Sequence, residues 1–198
     1  MKESILIKFM KLNNGYATTT EILRNGISYS QIKFHIKTGQ IEQIKRGLYR
    51  IKNDIYSNDQ DFMDVCKAIP KSVICLYSAL HYYELTTFVP IDVMIAIPQG
   101  YHTPQLNFPP VQVFHFSKKQ YEAGIEKVSI KNNSFRIYSP EKSICDAFRF
   151  RRKLGDDTAK EVLYNYLKTE KMNLKKLMDQ ARICKMANIM KPYIEANL

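Results

Sequence analysis

Residues 26–51 read "GISYSQIKFHIKTGQIEQIKRGLYRI", and the apolar spacing changes period inside them. Up to Thr38 the spacing is helical: Ile32 and Ile36 stand four apart, with Tyr29 and His35 on one flank. After Gly39 the period is two, with Ile41 and Ile44 before a turn at Arg46 and Gly47, and Leu48, Tyr49 and Ile51 after it. A short helix that stops at a glycine and gives way to a cationic hairpin predicts a helix and a wing. These are the working parts of a winged helix-turn-helix.

The preceding residues supply the rest of such a module. "KESILIKFMKL" places Ile5, Phe9 and Leu12, with Leu6 and Met10, on one face of a first helix closed by "NNG". "TTTEILRNG" opens with a capping box from Thr18 to Glu21 and stops at Gly26, and Ser28 is placed to cap the third helix. The expected order is three helices and then two strands. The expected core is Ile5, Phe9, Ile22, Leu23, Ile32, Ile36 and Leu48.

With Ile32 and Ile36 inward, Ser30, Gln31, Lys33, Phe34 and Lys37 face outward or flank the core, where a helix lying in the major groove reaches base edges. Gln31 suits a bidentate contact to adenine, and Phe34 suits a thymine methyl. The same spacing also admits a plainer reading, with Phe34 packed on the first helix and Lys33 and Lys37 forming a solvated face. The hairpin favours the nucleic-acid reading, because Lys45, Arg46 and Arg50 lie on a narrow ribbon suited to phosphate or to a minor-groove arginine.

Charge agrees in placement. The net charge is +11, and residues 1–53 hold ten Lys and Arg against three Glu, a larger surplus than in the remaining 145 residues. Apolar residues make up 45% and charged residues 25%, the balance of an ordinary globular protein. No apolar run approaches the roughly 20 residues that span a bilayer, and the opening "ESILIKFMKL" is too short and too charged for a signal peptide. The expectation is a cytoplasmic protein with no membrane contact. Cys66, Cys75, Cys145 and Cys184 are widely separated among apolar neighbours, which predicts buried hydrophobes and neither disulfides nor a metal site.

Parts for catalysis are few. His35, His81, His102 and His115 are scattered, and nucleophile-elbow, phosphate-loop and dinucleotide-fold glycine motifs are missing from the sequence. Asp92 precedes "VMIAIP" without the E-x-K run that a metal nuclease would need. The expectation is no enzyme, no catalytic residue and no cofactor, with a nuclease-like enzyme the weakest of the readings.

A polar stretch at Asp54–Asp59 reads as a linker between a DNA-binding domain at 1–53 and a larger domain at 54–198. The second begins with a helix carrying Phe62, Val65, Cys66 and Ile69. Next come "SVICLYSALHYYEL", a strand passing into a helix, and four short β-rich runs from "IDVMIAIP" to "SFRIYS". "SPEKSICDAFRF" then starts a helix with Ser139 as cap and Pro140 in its first turn, and further amphipathic helices finish the chain. The fold class is α+β: a winged helix-turn-helix, then a small mixed or antiparallel sheet with helices before and after it. Arg149, Arg151, Arg152 and Lys153 crowd one helix end, where they suit the helix dipole, a phosphate, or an acidic partner.

"GYATTTEILRNGIS", "GQIEQIKRGLYRI", "YSALHYYELTTFVP" and "IYSPEKSICDAF" together resemble, in order and spacing, the AbiEi-type antitoxins of type IV toxin–antitoxin and abortive-infection systems. The resemblance spans essentially the whole chain. It implies a winged helix that represses its own operon at inverted repeats in promoter DNA, and a second domain that supports antitoxin action. The implied counterpart is a nucleotidyltransferase toxin, opposed functionally and not necessarily through a stable complex. Residues Tyr29 to Thr38 with Lys45, Arg46 and Arg50 match the DNA-reading segment, and Ser78, Pro140, Glu141 and Asp146 match recurring positions of the second domain. The alternative is a stand-alone winged-helix regulator whose second domain senses a ligand or protein.

Overall fold

The computed structural model of the protein describes residues 3–52 and 58–197. Its elements divide between two compact units that are not continuous in sequence. One unit comprises residues 1–70, 102–110 and 129–134, and the other comprises 71–101, 111–128 and 135–198. The first unit therefore runs past residue 53, where the sequence reading ends the first domain. Of the linker read at Asp54–Asp59, residues 54–57 lie outside the described residues, while Asn58 and Asp59 open a helix.

The first unit has the order α1 (Ile5–Leu12), β1 (Tyr16–Thr18), α2 (Thr19–Arg24), α3 (Tyr29–Lys37), β2 (Ile41–Lys45), β3 (Leu48–Ile51) and α4 (Asn58–Ala68). Ser4 caps α1 by accepting from the Ile7 N–H. Thr18 and Glu21 form the reciprocal capping box at the start of α2. The wing strands pair antiparallel and β1 joins on the far side of β3, giving a three-stranded sheet of order β1-β3-β2. Three residues are too few to show a period of two, so β1 is not foreseen from the sequence.

The core of this unit is Leu6, Met10, Ala17, Ile22, Ile27, Ile32, Ile41 and Tyr49. That corrects the expected set at three positions, since Ile5, Leu23 and Ile36 are exposed, and Leu12, expected on the apolar face of the first helix, is exposed as well. In α1 the inward pair is Leu6 and Met10, one position along from Ile5 and Phe9, which leaves Phe9 half-buried. In α3 the second inward residue is His35, three after Ile32, and its Nδ1 is hydrogen-bonded to Gln40 Oε1. A polar ring held this way fills the place expected for Ile36, because burial is tolerated once the nitrogen has a partner.

The second unit is built on a five-stranded mixed sheet of order β6-β5-β4-β8-β7. The strands are β4 (Val73–Ile74), β5 (Val93–Pro98), β6 (Val111–Phe116), β7 (Ile125–Ile130) and β8 (Asn133–Tyr138), with residues 129–134 of the last two counted in the first unit. β4 runs antiparallel to β5 and parallel to β8, and β5 runs parallel to β6. The helices are α5 (Leu76–Tyr82), α6 (Lys118–Glu122), α7 (Pro140–Arg149), α8 (Arg151–Leu154), α9 (Asp156–Leu167), α10 (Leu174–Cys184) and α11 (Ala187–Glu195). α7 is central among them, packing against α5, α9 and α10. No helix among the described residues is long and apolar enough to cross a membrane.

Candidate nucleic-acid interface

Only Ile32 and His35 of the nine residues of α3 are buried. Ser30, Gln31, Lys33, Phe34 and Lys37 are all exposed, as the spacing predicts. Phe34 is 59% exposed, so it does not pack on α1 as the plainer reading had it, and its ring meets the neighbouring His35 edge-on at 5.3 Å. Two further side chains join this face. Tyr29 and Ile36 are exposed, and the Lys33 ammonium stands 5.2 Å from the centre of the Tyr29 ring. Sequence reasoning placed Ile36 in the core because it gave the helix a wider apolar stripe than the fold uses.

The wing turns at Arg46 and Gly47, where φ is +78° at the glycine, a value that a side chain would strain. The Thr19 N–H donates to the Gly47 carbonyl at 3.0 Å, so the start of α2 fixes the turn. The three wing cations then differ. Arg46 is exposed at the tip. Lys45 is half-buried and its Nζ donates to the Ala68 carbonyl at 2.6 Å. Arg50 is 2% exposed, which corrects its reading as a DNA-facing cation. Its guanidinium lies 2.5 Å from Glu42 and 2.6 Å from Asp64, the second without the angle of a hydrogen bond.

Asp64 is fully buried on α4 and accepts from the Tyr16 hydroxyl at 2.6 Å and from Gln60 Nε2 at 3.1 Å. Burial raises its carboxyl to about 6, against the opposing pull of the Tyr16 hydrogen bond and the Arg50 charge. Arg50 thus holds β3, β2 and α4 together and leaves phosphate contact to residues outside this pair.

In the second unit the quartet read at one helix end is divided between two helices, Arg149 closing α7 and Arg151, Arg152 and Lys153 lying on α8, and its members differ in the same way. Arg149 bonds Gln120 and lies over the Phe116 and Phe150 rings at 5.3 and 5.4 Å. Arg151 donates to the Phe148 carbonyl at 2.8 Å and pairs with Asp156 at 3.6 Å. Arg152 and Lys153 are the exposed members.

Of the recurring positions named above, Ser78, Glu141 and Asp146 are buried in this unit and Pro140 is half-buried. Ser78 Oγ accepts from the Met94 N–H at 2.9 Å, and Ser139 Oγ caps α7. Glu141 accepts from the Tyr166 hydroxyl at 2.9 Å and pairs with Lys176 at 3.0 Å. Lys142 and Asp146 form a fully buried ion pair at 2.6 Å, with the ammonium 4.3 Å from the centre of the Tyr138 ring. Gly124 is required beside them, since a Cβ there would stand 2.6 Å from Lys142 Cβ. Among the described residues no three His, Cys, Asp or Glu gather where a metal ion could be held.

A winged helix that exposes a polar and aromatic third helix and an arginine-tipped wing defines a DNA-binding regulator. Residues 5–52 match the family model described as "Transcriptional regulator, AbiEi antitoxin". The likeness to the AbiEi antitoxin regulators thus lies in the first domain. The match ends before α4 and covers less than half of the chain. No curated protein matches the chain.

Proposed function

We propose that the protein is a transcriptional autorepressor and the antitoxin of a type IV toxin–antitoxin pair whose toxin is a nucleotidyltransferase. The observation that carries the DNA part is the exposed face of α3, with Gln31 and Phe34 available to base edges and Ser30, Lys33 and Lys37 beside them. Arg46 at the wing tip supplies a charge for the backbone. The antitoxin part rests on the family match of residues 5–52 and on the resemblance of the second-domain stretches. No catalytic residue or cofactor enters this reading.

Two assays test it together. Gel shifts on the DNA upstream of its own gene should show binding at inverted repeats, and co-expression with the nucleotidyltransferase encoded alongside should rescue growth. Binding without rescue supports the second reading, a stand-alone regulator. That reading draws on a cleft of about 460 Å³ in the second unit, lined by Tyr82, Tyr83, Leu85, Pro140, Tyr166 and Lys171, which has the size of a small-ligand site.

A further inference from the structure

Residues 102–110 follow the wing at a distance in sequence yet belong to the same compact unit. The Asn107 N–H donates to the Ile44 carbonyl at 2.8 Å, and Asn107 Nδ2 donates to the Gln43 carbonyl at 3.1 Å. Both acceptors lie on β2, the outer strand of the three-stranded sheet. The segment thus covers an edge that would otherwise present open carbonyls. Pro104, Pro109 and Pro110 lack N–H donors, so the covering segment does not itself extend the ladder.

A cleft of about 350 Å³ lies between this segment and the wing, lined by Lys45, Arg46, Pro104, Gln105 and Asn107. Among the described residues no carboxylate lines it. Arg46 and Gln105 are both exposed, one contributed by the hairpin and one by the added segment, so a cation and a neutral amide donor share one opening. Lys45 and Asn107 are already engaged with the Ala68 and Gln43 carbonyls, which fixes the walls of the cleft and leaves Arg46 and Gln105 as its outward donors. Charge and amide donors without an opposing carboxylate suit a sugar–phosphate chain.

We propose that residues 102–107 form a second wall of the wing, and that the cleft between Arg46 and Gln105 takes the sugar–phosphate backbone of duplex DNA. The inference rests on the DNA-binding reading of the first unit. Arg46 supplies the charge, and Gln105 Nε2 donates to a phosphate oxygen. Neither contact carries sequence information, so the cleft strengthens binding to any duplex and orients α3 on its groove.

The test uses the full chain with two duplexes of equal length, one from the DNA upstream of its own gene and one of random sequence. A photo-crosslinking amino acid is placed at position 46 or at position 105, and both variants are expected to label both duplexes. Gln105→Ala should weaken binding to both duplexes equally, by roughly three- to tenfold, the net scale of one hydrogen bond. Gln105→Lys should steepen the log K against log salt slope by about 0.9. Labelling from position 46 without labelling from position 105 would overturn the second wall and leave the DNA-binding reading intact. An absence of binding by the unmodified chain to either duplex would defeat both. A Gln105→Ala loss confined to the upstream duplex would overturn the backbone assignment, because it would mean a base contact.

Discussion

Arg50 and Arg46 lie four positions apart on the same hairpin and have different surroundings. Arg50 is enclosed by Glu42 and Asp64, whereas Arg46 is exposed at the tip. Asp64→Ala should cost about 3 to 5 kcal/mol of stability in chemical denaturation, because it strands a buried guanidinium with one partially exposed partner. The Asp64 carboxyl should titrate at about 6 when followed by its carbon chemical shift; a value below 4 would show that Arg50 outweighs burial. Its folded value lies above the ordinary ~3.9, so the contribution of this group is fully present below about pH 4 and is lost as pH rises through 6. Asp64→Asn should remove that part of the pH dependence. On α3, Gln31→Ala and Phe34→Ala should weaken binding to the upstream DNA by about 1 to 3 kcal/mol and leave random duplex nearly unaffected, since neither side chain has charge to give a phosphate. Equal losses on both duplexes, with unchanged circular dichroism, would mean that a different face of the helix reads DNA.

At the scale of elements, the helix and wing at 26–51 were legible because two periods meet at a glycine and because the capping box fixes where α2 begins. The face of α3 that carries Gln31, Lys33, Phe34 and Lys37 follows from that spacing, while the inward place of His35 does not. Its burial depends on Gln40, a residue beyond the helix end that no helical period relates to it. The fate of Arg50 was hidden for the same reason, since Asp64 reaches it from an element outside the hairpin. α7 shows the converse case. Ser139 and Pro140 announce its start, but the burial of Glu141, Lys142 and Asp146 follows from tertiary packing on all sides. The Lys142–Asp146 pair gives an element-scale prediction: Asp146→Ala should destabilise the protein by about 3 to 5 kcal/mol, whereas Lys142→Met with Asp146→Leu should come close to neutral. A double variant as unstable as the single one would mean that the ion pair itself, rather than the filling of its site, holds α7 in place.

For the molecule as a whole, the proposal of a DNA-binding domain at 1–53 meets a first unit that also includes α4. A fragment of residues 1–70 should therefore be more stable to heat than one of 1–53, which lacks Asp64 as the partner of Arg50 and Tyr16. Equal melting temperatures would show that α4 adds nothing to the winged helix. The proposed function puts antitoxin action in the second domain, so rescue by either fragment at matched expression would contradict that proposal. In the proposed function the first unit binds DNA and its wing tip meets phosphate. The most direct measurement is the salt dependence of full-chain binding to the duplex upstream of its own gene, for the unmodified protein and for Arg46→Ala. The log K against log salt slope should be steep, and its magnitude should fall by about 0.9 when Arg46 is removed, as one fewer counterion is released. Binding that is insensitive to salt, or a slope that Arg46→Ala leaves unchanged, would contradict that reading.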